Sequence, residues 1–368
     1  MVDCCYRTGE QVRLLIAENA SLMKLVNELK QKELRQSTIV HEAENWLLQA
    51  TAEVQRLREL LNSSQKSDVI FSFSKISHDN KLVEHFTGLP NKETFFALLK
   101  LCDGLEIQYL YGWKVSKLTR ENQLFLTLLK LRRNLSHIDL SVRFAMSETA
   151  VANVFVSWLI LLHYILVDDL LSTVPSREKN QEHLPASFKG YEDTRIVIDA
   201  TEITTANPAL MDKQKRMFSN YKHKITSKGL VGISPNGNVT FASKLYAGST
   251  SDRNVVIHSG LLNCLVPGDA VMAGKGFNIE DLLPDGVKLY IPPFKDAPQF
   301  TSDQVQETFG VARARIHVER AINRIKRFGI LSFIPQSCAP YASEIFQVCA
   351  SLTNFQAPLL KSHEDDEE

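Results

Sequence analysis

Arg195–Ile203, RIVIDATEI, is the stretch that most narrows what this chain can become. Ile196, Val197 and Ile198 read as a buried β-strand, because β-branched side chains fit a pleated, covered surface. Asp199 is carried into the middle of that strand. A carboxylate in such a place is costly to bury alone. It is either satisfied by donors, such as backbone N–H groups or the Thr201 hydroxyl, or it holds a metal ion. The two readings separate on what the rest of the chain brings to the same sheet.

Ahead of the strand, a heptad register runs from Val12 without interruption. Its a positions are Val12, Asn19, Val26, Glu33, Val40, Leu47, Val54 and Leu61, and its d positions are Leu15, Leu22, Leu29, Gln36, Ala43, Ala50 and Leu57. Val at a with Leu at d favours a parallel two-stranded coil, and one Asn at a sets register and partner number. A coiled coil is therefore expected over 10–61, making the chain a homo-oligomer, with Glu33 and Gln36 as a fray point at its centre. The competing reading is a single amphipathic helix packed on its own chain. Asn62–Asp68 reads as the start of a polar linker over 62–80.

The next segment, 81–166, reads as all-helical. Asn91 after Pro90 is a cap, and Phe95, Phe96, Leu98, Leu99 and Leu101 supply the apolar face that follows. Thr119 caps a helix through Arg133 and Ser136 begins a second. Ala145–Met146–Ser147 makes a tight connection into a third, with Val151, Val154, Phe155 and Trp158. Three helices with a short turn before the last fit a helix-turn-helix over about 119–163. From Lys114 to Phe144, Lys114, Lys117, Arg120, Lys130, Arg132, Arg133 and Arg143 face only Glu121 and Asp139. That local excess suits phosphate contact, while an ordinary three-helix core with a solvated basic face explains it equally. The third helix begins with Ser147, Glu148, Thr149 and Asn153, few of them good base readers, so any DNA contact is expected to be mostly to the backbone.

After Asp199 come a basic, loop-like stretch, Met211–Lys228, and two strands, Leu230–Ser234 and Val239–Leu245, joined by Pro235–Asn236–Gly237–Asn238. Ser249–Asp252 caps a helix ending near Leu265. Ala270–Ala273 and Lys288–Ile291 are short strands, and a helix runs from about Ser302 to Phe328. His223 and His317 read as structural rather than as phosphate contacts. Lys+Arg and Asp+Glu both total 42 in 368 residues, so net charge selects no partner. The six cysteines show no C-x2-C pair and read as buried thiols of a reducing compartment. Val154–Val167, broken by Ser157 and His163, is too short a run to span a bilayer, and no signal peptide is read, so the expectation is a soluble intracellular protein without membrane or small-molecule ligands.

Strand, hairpin, helix, strand, helix resembles the order of a ribonuclease H-like domain. Several stretches then resemble, in order, the DDE-superfamily endonucleases of PIF/Harbinger-type transposases and their domesticated relatives. They are TGLP at Thr87–Pro90, the helix-turn-helix, VIDATEI at Val197–Ile203, and SNYKHKITSKGLVGISPNG at Ser219–Gly237. GSTSDR at Gly248–Arg253, PGDAVMAGKGF at Pro267–Phe277 and RIHVERAINRIKRFGIL at Arg315–Leu331 complete the series. The resemblance spans about Thr87 to Phe355. It implies an α/β ribonuclease H-like DDE nuclease domain over 190–357, behind the all-α helix-turn-helix region and the N-terminal coiled coil, with an acidic tail over 358–368.

The resemblance further implies DNA as partner, Mg²⁺ or Mn²⁺ as cofactor and the nucleus as location. Three acids of that family hold two divalent ions that activate water and stabilise the leaving oxygen. By position Asp199 is the first acid and Glu319 the last, but the second acid is replaced by Gly274. Asp269 lies about 16 Å from that place, at roughly 3.3 Å per residue, and is no substitute. Asp252 should emerge at the same end of the sheet as Gly274, giving Asp199, Asp252 and Glu319 as expected metal ligands. Arg132, Arg133, Arg143, Lys222, Lys224, Arg320 and Lys326 are the expected DNA contacts. Some relatives carry a zinc finger before the coil; none is read here. Three functions stay open: an impaired or inactive nuclease that binds DNA, a working metal-dependent endonuclease, and a coiled-coil interaction protein that touches neither metal nor DNA.

Overall fold

A computed structural model describes residues 2–67, 71–113, 115, 117–293 and 302–360, with the backbone alone for 2–11, 60–67, 111, 302–304 and 307. Linker residues 68–70, Lys114 of the basic stretch and residues 361–368 of the acidic tail lie outside the described residues. The chain divides into two units, Met1–Asp68 and Val69–Glu368.

The first unit is one helix, α1 (Val2–Ser67), of 66 residues, about 100 Å long at 1.5 Å per residue. It does not break at Glu33 and Gln36. Both residue types are good helix formers, and a polar pair on the seam removes no backbone hydrogen bond. Nor does Asn62 begin a linker, since NSSQKS contains no Pro or Gly and the helix continues through Ser67. Every side chain from Val12 to Glu59 is exposed, the a- and d-position residues Leu22, Val26, Leu29, Val54 and Leu57 among them.

The second unit begins with helices α2 (Asn80–Thr87), α3 (Lys92–Leu101), α4 (Arg120–Arg133), α5 (His137–Phe144) and α6 (Glu148–His163). Asn91, Thr119, Ser136 and Ser147 each cap the helix they precede, with a side-chain oxygen accepting a backbone N–H two or three residues inside it. Ala145 turns the chain between α5 and α6 in the left-handed region, φ 49°, while the Met146 N–H donates to the Ser141 carbonyl at 2.9 Å. A π-type turn, Tyr164–Asp169, extends α6. The whole stretch Glu148–Asp169 is thereby long and apolar enough to cross a membrane, longer than the run read from sequence. Its apolar window is 67% buried inside the fold, with Val154, Phe155, Trp158 and Leu162 at the centre of the core.

A short helix, α7 (Arg177–Gln181), leads to β1 (Thr194–Thr204). Then follow α8 (Met211–Met217), β2 (Phe218–Ser219), β3 (Lys224–Ile233), β4 (Val239–Ala242), β5 (Tyr246–Ala247) and α9 (Asp252–Ser259). The last elements are β6 (Ala270–Met272), β7 (Lys288–Tyr290), α10 (Ser302–Ile325) and α11 (Ala342–Leu352). The sheet runs β2-β3-β1-β6-β7, with β4 and β5 also on β3. β1 pairs antiparallel with β3, placing Asp199 opposite Val231, and parallel with β6, which pairs parallel with β7. The basic stretch read as a loop is instead α8, β2 and the first half of β3. Thr226, Ser227 and Lys228 show no apolar alternation to read, although they pair in register with Thr204, Ile203 and Glu202 of β1.

Strand periodicity sends alternate side chains to two cores. Val197, Ile203, Val231 and Ile233 pack with α10, α11 and the helices α2–α6. Ile196, Ile198, Leu230 and Val271 pack with Val255 and Val256 of α9. The helical region and the first face of the sheet therefore share one apolar interior.

Candidate functional site

Asp199 has the parity of Val197 and so projects toward α10, where Arg315 and Glu319 stand one helical turn apart. Arg315 Nη2 lies 4.0 Å from Asp199 Oδ1 and 3.7 Å from Glu319 Oε1, and the Arg315 side chain is only 17% exposed. Asp199 Oδ1 also accepts the Ala200 N–H at 3.0 Å. Burial pushes the Asp199 carboxyl above its ordinary range. Arg315 and the Ala200 N–H pull it down, and the charges of Glu319 and Asp252 push it further up.

β6 leaves the sheet beside β1 and delivers Gly274 to this centre. A Cβ built there would sit 3.0 Å from Arg315 Nη2, so the guanidinium lies against the space a side chain at 274 would enter. Arg315 Nε is buried with no hydrogen-bond acceptor.

Asp252, the first residue of α9, reaches the same end of the sheet: its Oδ2 is 3.6 Å from where a Cβ on Gly276 would lie. It is held there by Lys228 Nζ at 3.0 Å, which also stands 3.9 Å from Glu202 Oε1. Glu202 Oε2 accepts the Thr226 hydroxyl at 2.9 Å. Sequence reasoning overlooked Glu202. Period two from Ile198 and Ala200 places it on the α9 face, and that alternation was the available signal.

The four acids are thus gathered as two pairs, each bridged by a cation of the chain itself. Among the described residues no group of three or more His, Cys, Asp or Glu is arranged to hold a metal ion. The donor set does not fit the two divalent ions implied by the resemblance. One acid is a glycine, and a guanidinium lies against both of the others. Asp269 is remote from the centre, 1% exposed and engaged by Arg195 Nη1 at 2.6 Å and Arg177 Nε at 3.3 Å.

The expected DNA contacts divide by exposure. Arg133, Lys222, Lys224, Arg320 and Lys326 are exposed. Lys326 is within electrostatic reach of Lys222, Glu202 and Asp199, and burial lowers its pKa first of all. Arg132 is turned inward: Nη1 donates to the Arg327 carbonyl at 3.0 Å, and its guanidinium lies 5.7 Å from the Phe328 ring centre. Arg143 is half-buried, 3.4 Å from Asp139 and over the Phe71 ring. Two residues considered for DNA contact are internal. Lys130 is 2% exposed and donates to the Leu135 carbonyl at 3.0 Å. Asn153 is 3% exposed and exchanges hydrogen bonds with the Leu110 backbone. His317 is buried, paired with the Ser187 hydroxyl and stacked on Phe188, whereas His223 is exposed in a turn at φ 52°.

A three-helix module is thus joined to a mixed sheet with carboxylates on its first strand and on a late helix. Residues 198–354 match the family described as DDE superfamily endonuclease. Residues 116–168 match the helix-turn-helix of DDE superfamily endonuclease. The chain carries a DDE superfamily endonuclease domain with its helix-turn-helix region. No curated protein and no solved structure matches the chain.

Proposed function

We propose that this is a transposase-derived DNA-binding protein of the PIF/Harbinger type, whose ribonuclease H-like nuclease domain has lost or nearly lost strand cleavage. The observation that carries the reading is the exit of β6. Gly274 stands beside Asp199 and Glu319 where the superfamily pattern has its second acid, and Arg315 lies against the gap. Removing a ligand outright should reduce activity by more than the roughly 10–100-fold typical of losing a neighbour of a ligand. Three antiparallel strands, β1, β3 and the β4–β5 edge, followed by β6 and β7 parallel to β1, support the ribonuclease H-like fold. The exposed heptad residues of α1 support a dimer through a coiled coil. DNA as the partner makes the nucleus the place of work.

The test uses supercoiled and linear duplex DNA with the natural chain in Mg²⁺ or Mn²⁺. The expected result is salt-dependent binding of the duplex, since phosphate contacts release counterions, without nicking of the supercoil. Metal-dependent nicking would make this a working nuclease. Absence of binding at low salt would leave the interaction-protein reading in its place.

A further inference from the structure

Four observations bear on what occupies the carboxylate centre. Arg315 Nη2 stands between Asp199 and Glu319, at 4.0 and 3.7 Å. Its side chain is 17% exposed, so the charge is held inside the fold rather than waving in solvent. It lies 3.0 Å from a Cβ position on Gly274, in the space that a third acidic side chain would need. On the neighbouring pair, Lys228 does the same for Asp252 and Glu202, at 3.0 and 3.9 Å.

We infer that Arg315 is the resident cation of the Asp199–Glu319 centre, holding the position in which relatives of this domain seat a divalent ion, so that replacing Gly274 by Asp does not by itself restore a metal site. The charge count explains why. Two carboxylates sharing one guanidinium leave a single net negative charge, and a dication entering between them meets a fixed positive charge within a few ångströms. Three bare carboxylates would offer three negative charges instead. The glycine and the arginine act together: without a side chain at 274 the guanidinium has room, and with the guanidinium present the two acids have a partner. A new carboxylate at 274 would meet Arg315 first. The Cβ approach is tight, but it is made by the end of a flexible side chain that can shift by a few tenths of an ångström. Arg315 Nη1, 3.7 Å from the same Cβ position, offers a second donor to that carboxylate.

The inference rests on reading the domain as nuclease-derived, but its test involves no DNA. Binding of Mn²⁺ alone is measured by calorimetry and by loss of the free-ion spin signal, for the natural chain, Gly274→Asp, Arg315→Gln and the double substitution. The natural chain and Gly274→Asp are expected to show no saturable binding into the millimolar range. Arg315→Gln should show saturable binding in the range where the natural chain shows none, because the competing positive charge is gone. The double substitution should bind most tightly and be the protein that Mn²⁺ stabilises most against heat. Saturable binding by the natural chain that Arg315→Gln leaves unchanged overturns the inference, as does Gly274→Asp binding as tightly as the double substitution. If Arg315→Gln does not fold in chelator, the Gly274→Asp arm, which keeps the guanidinium, decides in the same sense. Failure to bind DNA would overturn the functional reading and leave this one standing, whereas tight Mn²⁺ binding by the natural chain would do the reverse.

Discussion

Asp199 lies on β1 and Asp269 immediately before β6, its parallel neighbour, and the two meet different fates. Asp199 faces a site; Asp269 is part of the frame. Its Oδ2 accepts from Arg195 Nη1 at 2.6 Å and from the Val266 N–H at 2.8 Å, Oδ1 has the charge of Arg177 at 3.3 Å without a hydrogen bond, and only 1% of the residue is exposed. Asp269→Ala leaves Arg195, 12% exposed and still bonded to the Pro175 and Val174 carbonyls, without its carboxylate, and breaking a largely buried pair from one side costs up to about 3–5 kcal/mol. Urea unfolding should show that loss, and combining it with Arg195→Met should recover part of it. Lys130 is a second buried ion. It lies 5.3 Å from the Phe155 ring centre, and burial lowers its pKa from the ordinary 10.5. The folded state therefore holds this proton less firmly than the unfolded state, so protonation weighs against folding below the folded pKa. That penalty lifts as pH rises from the folded pKa toward 10.5. In Lys130→Met the rise should be absent. Denaturation at pH 8 and pH 10 checks it: the natural chain gains stability relative to the variant at the higher pH, and equal behaviour of the two would refute the assignment.

At the scale of elements, local chemistry was legible wherever the chain announces its own boundaries. Asn91 and Thr119 are read as caps and Ser136 as a helix start, because a short polar side chain before an apolar period has one obvious use; these three and Ser147, read only as part of a connection, all make the capping bond. β1 was readable from its β-branched density. The first half of β3 was not, because Thr226, Ser227 and Lys228 carry no apolar alternation and their pairing with β1 is tertiary. The inward turn of Lys130, Arg132 and Asn153 was equally hidden, since a basic or amide residue looks solvated until its tertiary partner is known. The position of Arg315 depends on β6 and α10 meeting, which sequence order alone does not give. For α1 the heptads carry a prediction of their own. Leu22, Val26 and Leu29 are 53, 48 and 57% exposed, so a partner helix has continuous apolar surface to cover. The full chain should scatter light as a dimer, and Leu22→Lys with Leu29→Lys, charges at two d positions, should give a monomer with the second unit still folded. A monomeric mass for the natural chain would remove the coil from the account.

For the whole molecule, the distribution of exposed cations decides how DNA would be held. Arg133, Lys222, Lys224, Arg320 and Lys326 are exposed, while Arg132 supports the packing of α4 on the chain after α10. The third helix of the helix-turn-helix spends most of its length in the core, and Asn153 is engaged with Leu110, so little remains to read base edges. Binding should therefore be electrostatic, with log affinity falling linearly in log salt at about 0.9 per phosphate neutralised. Duplexes of different sequence should bind alike. Replacing Lys222, Lys224 and Arg320 together by Ala should weaken binding to all of them and flatten the salt slope by about one for each phosphate left without its cation. Arg132→Ala should instead lower the unfolding midpoint and leave the slope of the folded protein unchanged, because its guanidinium is occupied within the fold. Fluorescence anisotropy across a salt series separates these outcomes. An unchanged slope in the triple variant would move the DNA surface away from these three cations, and strong preference for one sequence would mean that the exposed start of α6, Glu148 and Thr149, reads bases after all.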